Sequence, residues 1–181
     1  MRSLQEGFTL IEVLVVTSIM SLLAGFLVVY TRSSENQIKI LREKATFLNN
    51  LYRARSMAIR TIQSTPPECG YGIYILDDRR YTLWRDTATK PDCSTADSVY
   101  NSPAEDFEKP VELQSGLKFL DINTSEFLRS ILYIPPDPRI VTVPEIAPGG
   151  TARILLGTED RASVAEIKIN RYGRIEPGIG Y

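Results

Sequence analysis

The sequence predicts an α+β protein: a long N-terminal α-helix, transmembrane in its first half, packed against a C-terminal antiparallel β-sheet or β-sandwich head. Three observations predict it. Residues 8–30 form an apolar run interrupted by one charge, Glu12. Residues 31–65 contain neither proline nor glycine and repeat apolar side chains at steps of three and four. Residues 66–181 break into short β-rich runs separated by turn residues. The expected divisions are therefore a short polar segment at 1–7, a membrane-length helix at 8–30, its amphipathic continuation at 31–65 and a β-rich head at 66–181.

The 23 residues from Phe8 to Tyr30 would make a helix about 34 Å long, against roughly 30 Å of bilayer hydrocarbon. A cleaved secretory signal fits poorly. Arg2 is offset by Glu6, the apolar run is long, and "SLLAG" places Leu22 where a small residue is needed. Glu12 is the anomaly in this run, because an acid at mid-bilayer depth costs about 2.5–3.5 kcal/mol on insertion scales. Its place near the start of the run softens the cost, since an early acid favours the positive end of the helix dipole. It still calls for a cation, and no Lys or Arg lies between Phe8 and Tyr30.

Beyond Tyr30 nothing obliges the helix to stop before Pro66. Unbroken from Phe8 to Thr65 it has 58 residues and a length of about 87 Å. Ile38, Leu41, Ala45, Leu48, Tyr52, Arg55, Ile59 and Ile62 form the stripe expected to pack. Lys39, Arg42, Glu43 and Lys44 read as a solvated face. A coiled-coil stalk is the alternative to a helix docked on the head.

The head reads as an antiparallel sheet domain built from "YGIYIL", "YTLWR", "LKFLDI", "ILYI", "RIVTV", "ARILLG" and "VAEIKI". "DDRR" reads as a hairpin connection, and "PPDP" and "PGG" read as turns. Residues 86–110, rich in Asp, Thr, Ser and Pro, read as a surface loop.

Composition excludes several functions. Residues 1–65 hold 8 basic and 4 acidic side chains, and residues 66–181 hold 13 and 18. An acidic head repels phosphate, so nucleic acid is not an expected partner. The chain has no histidine and two cysteines, which removes the usual zinc ligand set and the commonest general base. No nucleophile–base pair, phosphate loop or nucleotide fingerprint is present, so neither enzyme activity nor a cofactor is expected. "DINTSE" offers oxygens from Asp121, Asn123, Ser125 and Glu126, but without the loop glycine and distal acid of a calcium loop it reads as a polar turn.

"GFTLIEVLVV" resembles the N-terminal signature of type IV pilins and of the pseudopilins of type II secretion. The resemblance implies that residues 1–7 are a leader peptide cleaved after Gly7 by a prepilin peptidase, that the new N-terminal Phe8 is methylated, and that Glu12 is the fifth residue of the mature chain. Cleavage would place a cationic amine on Phe8. A neighbouring subunit's Glu12 could then pair with it and set the stagger between subunits, or Glu12 could pair within its own chain at the i, i+4 spacing. The implied partners are other pilin or pseudopilin subunits, the peptidase/methyltransferase, and membrane lipid before assembly. The implied location is a single-pass cytoplasmic membrane protein with its head outside, then a periplasmic or extracellular filament.

In such a head Cys69 and Cys93 flank the first hairpin within an oxidising compartment, and a disulfide is the natural pairing; free buried thiols are the alternative. "FLNNLYRARSMAI" and "IKINRYGRIEPG", with Gly173 and Arg174, are similar to H-type minor pseudopilins and FimT-type minor pilins. Glu176 stands where the DNA-binding members of the latter group have a second arginine. A major pilin is one alternative. A single-pass membrane protein, or a tip pilin whose head binds a ligand or DNA, is the alternative of another class.

Overall fold

The computed structural model describes residues 9–60, 68–88, 90, 93–135 and 139–177, without the side chains of 28–34 and 177. The chain divides into two compact units, Met1–Ile38 and Lys39–Tyr181. A single helix, α1, runs from Leu10 to Arg60. The expected ends at Phe8 and Thr65 lie outside the described residues.

Nine strands follow: β1 (Glu68–Ile75), β2 (Arg80–Thr87), β3 (Val111–Glu112), β4 (Leu117–Leu120), β5 (Ser130–Ile134), β6 (Arg139–Val143), β7 (Thr151–Thr158), β8 (Val164–Asn170) and β9 (Ile175–Pro177). Each of the seven β-rich runs in the sequence supplies a strand; β3 and β9 are too short to show a period. Every pairing between these strands is antiparallel. One sheet has the order β3-β2-β1-β5-β6 and the other β4-β7-β8-β9. The layout is α+β, as the sequence predicts.

Turn chemistry fixes the connections. In the β1–β2 hairpin, Asp77 accepts from the Arg79 N–H at 2.9 Å and pairs with Arg80. Gly149 adopts φ 77° ahead of β7, a left-handed conformation that a side chain resists. "PPDP" begins the β5–β6 connection, of which residues 136–138 lie outside the description.

One apolar core joins the Lys39–Arg60 part of α1 to both sheets. It contains Phe47 and Leu51 from the helix, Ile73, Tyr81 and Ile131 from the first sheet, and Phe119, Ile154 and Ile167 from the second. Alternation along β7 and β8 directs Ala152, Ile154, Leu156, Ala165, Ile167 and Ile169 inward. Phe47 meets Tyr81 and Phe119 edge-to-face, at 5.0 and 5.9 Å between centroids.

The buried helix face differs from the stripe the sequence suggested. Ile40, Glu43, Phe47, Leu51, Ala54 and Ala58 point inward, whereas Leu41, Ala45, Tyr52, Arg55 and Ile59 are exposed and Leu48 is half-buried. Ile38 is exposed as well, and Ile62 lies outside the described residues. The helix is apolar on two sides, so periodicity alone cannot choose between them. Volume and shape do: Phe47 and Leu51 fill the space above the sheets, and Ala54 and Ala58 present small side chains to the same core.

Glu43 is a second correction. It is buried at 6 % exposure, not solvated. Gln114 donates to its carboxylate from the backbone and from the side chain, yet burial still raises its pKa above the ordinary value. Nearby, Asn50 donates to the Tyr81 hydroxyl at 2.8 Å, and burial pushes that phenol up to about 12.

Within the segment read as a surface loop, 86–110, residues 86–87 continue β2, Ser98 and Tyr100 pack as a cover on the outer face of the first sheet, and Asp106 bridges to Trp84. Tyr100 stacks on Tyr74 at 4.4 Å and meets Trp84 edge-on at 5.8 Å. Ser98 N–H donates to the buried Asp86 at 2.9 Å. Trp84 lies directly opposite Gly72 in the β1–β2 pair. A Cβ on Gly72 would fall 2.2 Å from the Ile131 carbonyl and 3.0 Å from Trp84 Nε1, so only glycine fits there.

Candidate functional site: the helix entrance and the head surface

The first candidate is the entrance to α1. Thr9 stands just before the helix and caps it: Glu12 N–H donates to the Thr9 carbonyl at 3.1 Å and to its hydroxyl at 3.3 Å. Thr-x-x-Glu is the spacing of a capping box, and the threonine half is formed. The local signal for this cap is "TLIE", a hydroxyl three residues before the acid, which the apolar reading of the segment does not reveal. The cap places Glu12 in the first turn, where the helix dipole favours a carboxylate. Glu12 is exposed and forms no ion pair with another described residue. Gly7 and Phe8 lie outside the described residues.

Behind the cap, Leu10–Leu27 has a mean hydropathy of 2.3, and none of it is buried. Its hydroxyls are satisfied within the helix. Ser18 donates to the Leu14 carbonyl and Ser21 to the Thr17 carbonyl, each at 2.8 Å, while Thr17 is 3.0 Å from the Val13 and Leu14 carbonyls. Polar side chains closed in this way add little cost in lipid or against another helix. The span can therefore exchange one apolar surrounding for another.

Residues 2–28 match the model of the prokaryotic N-terminal methylation motif. The chain carries that methylation motif. With the apolar helix behind it, the motif is consistent with a pilin-like or pseudopilin-like protein; the match covers 27 of the chain's 181 residues. The same pair of features is consistent with membrane anchoring. No curated protein and no solved structure matches the chain.

The remaining candidates lie on the head. Cys69 and Cys93 form a disulfide with Cα atoms 5.6 Å apart. It ties the start of β1 to the cover, and Cys93 itself sits at φ 58°. Gly173 is buried in the β8–β9 turn at φ 73°, where a Cβ would come within 2.8 Å of Ile140. Asn170 organises this turn by accepting from the N–H groups of Tyr172 and Arg174 at 3.0 Å each. Arg171, Tyr172 and Arg174 are exposed at its tip, and Glu176 stands in register with Lys168.

The two "DINTSE" carboxylates belong to separate ion pairs. Asp121 accepts from Arg161 at 2.7 Å, and Glu126 pairs with Arg153 at 2.6 Å. Among the described residues no group of three or more acids, histidines or cysteines is arranged to hold a metal.

Proposed function

We propose that this chain is a minor pilin or pseudopilin, a structural subunit of a type IV pilus or a type II secretion filament. One observation carries the reading: a methylation motif leads into an apolar helix of membrane length that is wholly exposed. Before assembly the subunit is anchored in the cytoplasmic membrane with its head outside. The peptidase cuts after Gly7 and Phe8 is methylated. On extraction, Leu10–Leu27 trades lipid for the helices of neighbouring subunits, an exchange close to neutral in apolar transfer.

Glu12 acts in register. The Phe8 amine created by cleavage is cationic, and in a low-dielectric surrounding an unpaired charge is expensive, so a neighbour's Glu12 is its natural partner. The Thr9 cap supports this role, because it fixes the first turn that presents the carboxylate.

Mass analysis of the N-terminus of native protein tests the reading. A chain beginning at methylated Phe8 is the expected result; a chain that keeps Met1 to Gly7 refutes it and leaves a simple membrane anchor. Glu12→Ala should insert into the membrane normally and enter filaments poorly, and normal incorporation would remove the register role.

A further inference from the structure

Strand β6 is an outer strand of the five-stranded sheet, and among the described residues nothing pairs with its free side. Alternate residues of such an edge turn their N–H and C=O groups outward, a template that proteins blunt with a central charge, a bulge or a cover. β6 carries Arg139 at one end and reads Ile-Val-Thr-Val from there. The opposite edge, β3, has two residues. Only β6 offers this sheet a useful length for strand addition.

Beside β6 runs an open groove of about 190 Å³ lined by Ile140, Val141, Thr142, Glu145, Ile146 and Arg171. Arg171 comes from the β8–β9 turn, whose Gly173 packs on Ile140 near the start of β6. Glu145 follows the strand's other end. Both side chains are exposed, and neither makes an ion pair with another described residue; the Arg171 guanidinium lies over the Tyr172 ring at 5.7 Å.

A cation near the beginning of an open strand and an anion beyond its end form a self-complementary pair. In antiparallel pairing across a two-fold axis the start of one strand meets the end of the other, and every contact occurs twice. We propose that β6 pairs antiparallel with β6 of a second copy of this chain, centred on Val141, with Arg171 of each copy against Glu145 of the other. Arg139 then faces Val143, so no like charges meet across the strands. An unrelated partner would require one complementary charge; the reciprocal arrangement selects a second copy. The inference does not rest on the filament reading, and the N-terminal analysis and the test below fail separately.

The test uses the full chain in membranes with Val141→Cys and a short bismaleimide crosslinker. A crosslinked dimer is expected from this variant and not from Glu112→Cys on the opposite edge. In the Val141→Cys background, Arg171→Glu and Glu145→Arg should each lower the dimer yield several-fold, and the two together should restore it. Emission of Trp84, the one tryptophan, checks the fold of each variant. Should Val141→Cys disturb it, chains with Arg139→Cys mixed with chains carrying Val143→Cys report the same pairing. Absence of crosslinking in both designs, equal yield from Glu112→Cys, or indifference to the charge reversals overturns the proposal.

Discussion

Replacing Phe47 and Tyr52 in turn separates the two faces that the helix sequence offers. Phe47 is 1 % exposed and packs edge-to-face on Tyr81 and Phe119. Phe47→Ala removes the ring and leaves a cavity between helix and sheets, at a cost of about 3–5 kcal/mol. At a urea slope of about 2 kcal/mol per molar, a loss in the middle of that range lowers the unfolding midpoint by about 2 M. Tyr52, on the stripe that periodicity favoured, is 52 % exposed, and Tyr52→Ala should change stability by about 0.5 kcal/mol or less. The assay is urea unfolding of the full chain in detergent, followed through Trp84, which is fully buried. Equal losses from the two variants, or a larger loss from Tyr52→Ala, would refute the docking face.

Three further outcomes follow from groups in the head. Because burial raises the Glu43 pKa above 4.5, its contribution to stability is present below that pH and is lost as pH rises through the higher folded value; Glu43→Gln should flatten this part of the stability profile between acidic and neutral buffer. A profile unchanged by the substitution would mean that Glu43 titrates as it does in the unfolded chain. Changing Cys69 and Cys93 to Ser should cost about 3.5 kcal/mol by loop-closure entropy for the 24-residue separation, read as a shift in the same unfolding curve; no shift would show that the cover holds without the link. The Tyr133 hydroxyl is buried with no hydrogen-bond partner among the described residues, so Tyr133→Phe should be neutral or stabilising by up to about 1 kcal/mol, and a clear loss would reveal a partner for that hydroxyl.

Much of the candidate site was legible in residue order. The motif, the apolar span and the cost of Glu12 are properties of a short contiguous segment whose solvent can be inferred from composition. The cap from Thr9 was equally local, written as Thr-x-x-Glu, and only needed both residues to be considered together. The strands were legible because alternating burial and turn residues are also local signals. β3 and β9 were not, since two or three residues hold no period and their pairing comes from β2 and β8.

The sequence by itself determined that this chain has a membrane-length helix with an N-terminal methylation motif and an antiparallel head, because those follow from local hydropathy, a contiguous motif and backbone preference. Tertiary structure alone decided which side of α1 is buried, that Glu43 goes inside with Gln114 as its partner, that Tyr100 covers Trp84, and that β6 has no partner on its outer side among the described residues, beside Arg171 and Glu145. Each of these depends on volumes and charges brought together from distant parts of the chain, and a helix apolar on two faces carries no local information about which one the sheets will accept.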